Sequence, residues 1–231
     1  MVLFGWQLQR LRLGGLIDRH DIVEIENAHR RLRTAVHDVL KDSGWMSAPE
    51  TWPGATWVHN DCHLNNWRYR QGDPALVRLL DFEWATHGPP DIDAFHLVRS
   101  FDALATWRGH PDTAYSPAIV EGLRPLLAPD RPFDRLRFFA LLWAVRSAGW
   151  VGDARWAREL PMAPLTWYAA HSLAVIRTIL SGTSYVDHLE RAVQSLTATG
   201  RGHIHADWRH PIARERGGKP GGTAEPRAVL S

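Results

Sequence analysis

Between His59 and Asp93 the chain gathers groups that can hold a metal or move a proton. Asp61 precedes Asn66 by five positions, and Asp81 follows them across a segment with turn chemistry at Gln71-Gly72-Asp73-Pro74. A carboxylate can orient an alcohol and accept its proton. A carboxamide oxygen and a second carboxylate are hard ligands suited to Mg²⁺. Phosphoryl transfer to a hydroxyl asks a protein for these roles, because that chemistry is mostly positioning and charge stabilisation. Taken singly, Asp61 reads as a turn residue, Asn66 as a loop amide and Asp81 as the cap of a turn. Their spacing favours the joint reading, as does the apolar run Leu76–Leu80, a buried strand that would deliver Asp81.

The same stretch admits a second metal chemistry. On an extended strand His59, Asp61 and His63 share one face, a two-histidine, one-carboxylate set that suits a metallohydrolase or an oxygenase. That reading leaves Asn66, Asp81-Phe82-Glu83 and Gly88-Pro89-Pro90-Asp91-Ile92-Asp93 without a role. Cys62 beside His63 suggests a nucleophile, but strand neighbours point to opposite faces, so a small buried residue is expected there. The other histidines, among them His87, His96, His110, His171, His203 and His205, lack ligand spacing and read as surface or core.

The elements that must position these groups follow from pattern. Val2–Trp6 reads as a short strand or extended lead-in, broken by Gly14-Gly15. Asp18 can cap a helix to about Asp42 with an apolar face of Ile25, Ala28, Leu32, Ala35, Val36 and Val39. A loop at 46–55 leads to a strand at Thr56–Val58, then a hairpin with arms Trp67–Arg70 and Leu76–Leu80. Gly88-Pro89-Pro90 is a break, and Asp91 can cap the next helix. Helical segments are expected near 116–127, 134–148, 165–181 and 184–197, and residues 201–231 read as a disordered tail.

Here the residues resemble a known family. Asp61-x-x-x-x-Asn66, a hairpin and Asp81-Phe82 are similar to the catalytic loop and metal-binding segment of protein kinases. His59-Asn60-Asp61-Cys62-His63-Leu64-Asn65-Asn66 resembles the His-Gly-Asp-x-His-x-x-Asn loop of the aminoglycoside phosphotransferase and choline kinase-like family. Leu79-Leu80-Asp81-Phe82-Glu83 is similar to its Ile-Asp-Phe/Trp-Glu segment, and Gly88 to Asp93 resembles its Gly-x-Pro-x-x-Asp stretch. The resemblance covers residues 56–100. It implies a mainly α (α+β) fold, the C-terminal lobe of a protein-kinase-like fold with a small β-hairpin at the metal site. It implies an ATP-dependent phosphotransferase acting on a hydroxyl of a small molecule. Asp61 would be the base, Asn66 and Asp81 the Mg²⁺ ligands, and His59, His63 and Asp93 the loop supports. The family usually has Gly at position 60. If that position needs positive φ, Asn is the next most tolerant residue.

The family's N-terminal lobe supplies a glycine-rich loop, a strand lysine and a helix glutamate. Nothing before residue 56 matches these, and Lys41 is the only lysine before His59. That lobe is therefore expected to be missing or separately encoded, with residues 1–55 the inter-lobe linker and first helix and residues 56–200 the catalytic lobe. A non-catalytic pseudokinase or remnant is the second reading. The acceptor stays open among aminoglycosides, choline, homoserine, fructosamines and other sugars. Asp102, Asp112, Glu121, Asp130 and Asp153 are candidates for an acidic acceptor pocket.

Bulk properties limit the partners. A chain of 231 residues that is 45% hydrophobic can bury one domain-sized core. A net charge of +2 requires neither nucleic acid nor membrane as a partner. The single cysteine excludes an internal disulfide and a multi-thiolate metal site. No apolar run approaches the ~20 residues that span a bilayer, and the opening lacks a secretory signal's cationic start, so a cytoplasmic location is expected.

Overall fold

The structure, a computed structural model, describes residues 2–35, 56–70, 73–108, 121–124, 127, 131–151 and 162–199. Its first element corrects the strand expected at Val2–Trp6. Val2–Leu13 is a helix, α1. Phe4, Leu8 and Leu11 recur at helical spacing, and Leu8 and Leu11 are fully buried, so the apolar period continues past the residues that read as extended. Gly15 ends this segment at φ 69°, a left-handed turn that glycine adopts without strain. Asp18 and Asp21 then cap each other reciprocally, with N–H to carboxylate distances of 2.8 and 2.9 Å. That cap starts α2 (Arg19–Ala35), which buries Ile22, Ile25 and Ala28. The helix's expected continuation to Asp42 and the loop at 46–55 lie outside the described residues.

His29 of α2 lies between Phe4 and Phe138, with ring centroids 4.2 and 5.5 Å away. Burial, helped by the Arg33 cation, lowers its pKa to about 4. The folded protein therefore refuses a proton that the unfolded chain accepts below pH 6.5. The resulting stability is fully present above that pH and is lost as pH falls toward 4. Denaturant titrations are expected to lose stability across this window through His29, by less than the full shift would give because the ring is only half-buried. The check is His29→Phe, which keeps the stack and should lessen the pH slope, the remainder coming from the buried His96 and from His63. An unchanged slope would remove His29 as its source.

Two small antiparallel sheets frame the loops of interest. β1 (Thr56–Val58) pairs with β4 (Thr86–Gly88), Val58 opposite Thr86. β2 (Trp67–Arg70) pairs with β3 (Asp73–Leu79), Trp67 opposite Leu79. The hairpin forms where its sequence signals put it, but β3 begins at Asp73, inside the expected turn. Val77 and Leu80 are exposed where a buried strand was expected, because the two-stranded sheet leaves them facing solvent. β4 was hidden, because three residues ending in a glycine and two prolines carry no readable period.

The remainder is helical: α3 (Asp91–Arg108), α4 (Pro132–Val151), α5 (Met162–Leu180) and α6 (Tyr185–Thr199). The last three match the segments expected at 134–148, 165–181 and 184–197, with residues 181 and 184 falling just outside α5 and α6. Of the segment expected at 116–127 only 121–124 and 127 are described, with 121–123 helical; the tail from 201 lies outside. α4 touches α1, α2, α3, α5 and α6, and buries Leu136, Phe138, Phe139, Leu141 and Val145. Ion pairs fix its neighbours. Asp91 is the first residue of α3, and its buried carboxylate meets Arg135 at 3.0 Å. Arg137 donates to Asp187 at 2.6 Å and also reaches Glu190. Asp187 in turn accepts from the Ser184 N–H and hydroxyl, each at 2.6 Å, and so holds the start of α6. The described chain is thus mainly α with small antiparallel sheets. No described helix is long and apolar enough to cross a membrane.

Candidate active site

The chain leaves β1 at Val58 and turns sharply. Asn60 takes φ 60°, left-handed backbone that Asn tolerates better than most side chains. Asp93, in the first turn of α3, straddles this turn. Its Oδ2 accepts from the His59 N–H and its Oδ1 from the Asn60 N–H, both at 2.9 Å. The extended face needed to align His59, Asp61 and His63 as metal ligands is therefore not formed.

The His59 ring, 4% exposed, has both nitrogens engaged. Its Nε2 lies 2.7 Å from the Leu80 carbonyl oxygen, which can only accept, so Nε2 carries the proton. Its Nδ1 accepts from the Asp61 N–H at 3.3 Å. Neither nitrogen is left for a metal, and no cluster of three histidine, cysteine or acidic side chains able to hold one occurs among the described residues.

Leu80 joins the two halves of the site. Its N–H donates to the Asn66 carbonyl at 2.8 Å while its own carbonyl accepts from His59. The next residue, Asp81, is exposed and left-handed at φ 65°, ψ 63°. A conformation of that kind costs about 1 kcal/mol and needs surrounding contacts to persist. The clamp on the Leu80–Asp81 peptide supplies one, and Phe82, 4.8 Å from the His59 ring, supplies another.

Asp61 keeps its carboxylate partly open, with 24% of the side chain exposed and His63 Nε2 3.3 Å from Oδ2. Burial lowers the His63 pKa against the pull of the Asp61 carboxylate, so the ring is neutral and donates. Asn66 turns its Nδ2 to the Asp61 carbonyl at 2.9 Å, which leaves Oδ1 as its metal-capable atom. Asn66 Oδ1 and the Asp81 carboxylate are hard oxygen donors of the kind Mg²⁺ prefers, so the residues present fit that ion. Cys62 is buried, and burial followed by the nearby Asp93 charge pushes its thiol up to about 12. It stays protonated and is no nucleophile.

Two residues given no role by the sequence touch this loop. His96, read there as an ordinary surface or core histidine, is 3% exposed, and its ring lies beside the Asn60 backbone. Ser100 Oγ accepts from the Leu64 N–H at 3.2 Å and donates to the His96 carbonyl at 2.8 Å. Their signal was available: Asp93, His96 and Ser100 stand at i, i+3 and i+7, one face of a helix.

The acidic pocket needs correction. Asp102 is fully buried, and burial drives its carboxyl well above the usual carboxylate range, so it lines no open pocket. Glu121 pairs with Arg124 at 3.2 Å. Asp112, Asp130 and Asp153 lie outside the described residues.

Comparison with known proteins adds one match. The model of a family described as phosphotransferase enzyme family matches residues 10–144. No curated protein and no solved structure matches the chain.

Proposed function

We propose, since this chain belongs to the phosphotransferase enzyme family, that it transfers the γ-phosphoryl group of ATP to a hydroxyl of a small acceptor. The fold we assign is the C-terminal lobe of a protein-kinase-like fold. The observation that carries this reading is the Leu80 clamp. It ties the segment of Asp81 to the loop of Asp61 and Asn66, through His59 on one side and the Asn66 carbonyl on the other.

Asp61 then orients the acceptor hydroxyl and takes its proton at a carboxylate oxygen, with the His63 N–H steadying Oδ2. Asn66 Oδ1 and the Asp81 carboxylate would hold Mg²⁺, which when bound neutralises phosphate oxygens and keeps them in line for attack. Asp93 and His59 act on backbone and shape the loop. Trp57, Leu80, Phe82 and Trp84, close to these residues in sequence, are exposed apolar side chains. We assign that surface to an ATP-gripping lobe, encoded with this chain or separately.

The test is acceptor-dependent chemistry. The protein is incubated with Mg²⁺, ATP and a panel of aminoglycosides, choline, homoserine and sugars, and ³¹P NMR follows ADP and any new phosphate ester. Little or no ester is expected from these 231 residues alone, and an ester that needs both acceptor and Mg²⁺ is expected once the ATP-gripping lobe is supplied. Nucleotide binding with that lobe supplied and no ester from any acceptor would support a non-catalytic lobe. Zn²⁺ or Fe²⁺ retained through purification and lost in His59→Ala would revive the hydrolase reading.

A further inference from the structure

We propose that His96 and Ser100 of α3 are positioning residues for Asp61, holding the backbone on both sides of it without touching acceptor or phosphate. The inference rests on the phosphotransferase reading for its kinetic consequence, but its geometry stands apart from that reading.

Asp93 already occupies the Asn60 N–H, so the backbone group of Asn60 left for His96 is the carbonyl. That carbonyl belongs to the Asn60–Asp61 peptide, whose N–H end is taken by His59 Nδ1 at 3.3 Å. By this proposal two histidines hold the two ends of the peptide that enters the base, His59 through its bond to the Asp61 N–H and His96 through its approach to the Asn60 carbonyl. For this His96 must be neutral with its proton on Nε2. Arg99 sets that tautomer: its Nη2 lies 3.5 Å from His96 Nδ1, and a guanidinium only donates. Arg99 is itself fixed over the Trp143 ring, 4.3 Å from its centroid. Burial and the Arg99 cation keep His96 neutral, with a pKa near 3. On the other side of Asp61, the Leu64 N–H rests on Ser100 Oγ at 3.2 Å, and that hydroxyl is steered by its own bond to the His96 carbonyl. The base is thereby suspended between two anchors on one helix face, and neither anchor is within the Asp61, Asn66 and Asp81 set.

The experiment compares His96→Phe, which keeps an aromatic ring against Phe95 and Trp143, with His96→Gln, whose amide offers a donor for Asn60 and an acceptor for Arg99. In the full chain His96→Phe is expected to lower kcat by ~10- to 100-fold with KM for ATP unchanged. His96→Gln should recover most of that loss, and Ser100→Ala should give a smaller loss of the same kind. A readout without turnover accompanies these: amide exchange at Asp61 should speed up in His96→Phe and Ser100→Ala and slow again in His96→Gln, with α5 and α6 amides unchanged. Should His96→Phe fail to fold, Ser100→Ala carries the same test, since it deletes one hydroxyl. Wild-type kcat and wild-type Asp61 exchange in these variants would overturn the proposal. If Asp61→Asn leaves transfer intact, the phosphotransferase reading fails instead, and the exchange data still decide whether the clamp exists.

Discussion

Asp61→Asn is expected to lower kcat by about 10²–10⁴, the usual worth of a positioned acid or base, while KM for ATP stays near its wild-type value. The substitution keeps the side-chain shape. Its backbone partners, His59 Nδ1 on the N–H and Asn66 Nδ2 on the carbonyl, are untouched. What is lost is the ability to take a proton from the acceptor hydroxyl. A pre-steady-state burst measurement separates this from slow product release. An Asp61→Asn enzyme that turns over at the wild-type rate would remove the mechanism.

The second large effect concerns the divalent ion. Asp81→Asn should weaken Mg²⁺- or Mn²⁺-dependent nucleotide binding by more than the ~10–100-fold that loss of an outer-shell partner costs a metal site. Asn is a better probe here than Ala. Position 81 is left-handed at φ 65°, and Asn accepts that conformation, so the change isolates the charge from the backbone. At Asn66 the probe is Ala, which removes Oδ1 together with the Nδ2 bond to the Asp61 carbonyl. Its effect should therefore appear in both ion affinity and kcat. Mn²⁺ binding followed by electron paramagnetic resonance reads the first directly. Equal affinity in wild type and Asp81→Asn would take Asp81 out of the ligand set.

Much of this molecule was legible because the informative patterns are local. The Asp18 cap and the Ile25–Ala28–Leu32 stripe announce α2 within one segment, and turn residues between an alternating aromatic arm and an apolar one announce the β2–β3 hairpin. Where the pattern was short it failed. Val2–Trp6 looked extended because the stripe that makes it helical is completed only by Leu8 and Leu11. β4 exists through its pairing with β1, about thirty residues away, and no property of Thr86-His87-Gly88 advertises that. The candidate site divides along the same line. Asp61, Asn66 and Asp81 stand out by spacing, whereas His96 acquires meaning only when α3 is laid under the loop. Asp102 shows the converse, an acidic residue that reads as a pocket candidate and lies wholly inside.

The helix beneath the loop also acts as a ruler. Seven residues separate Asp93 from Ser100, about 10 Å of rise, and these marks engage His59, Asn60 and Leu64 in turn. Only five residues of loop cover that distance, so the strand of chain carrying the base is cut to length against the pitch of a helix. A residue inserted between Asn60 and Leu64 would leave both anchors satisfiable while swinging Asp61 away from its place, and a deletion would force one anchor to let go. The place of Asp61 within its loop is thus constrained from below as well as from the substrate side. Asp91, joined to Arg135, sets the zero of that scale.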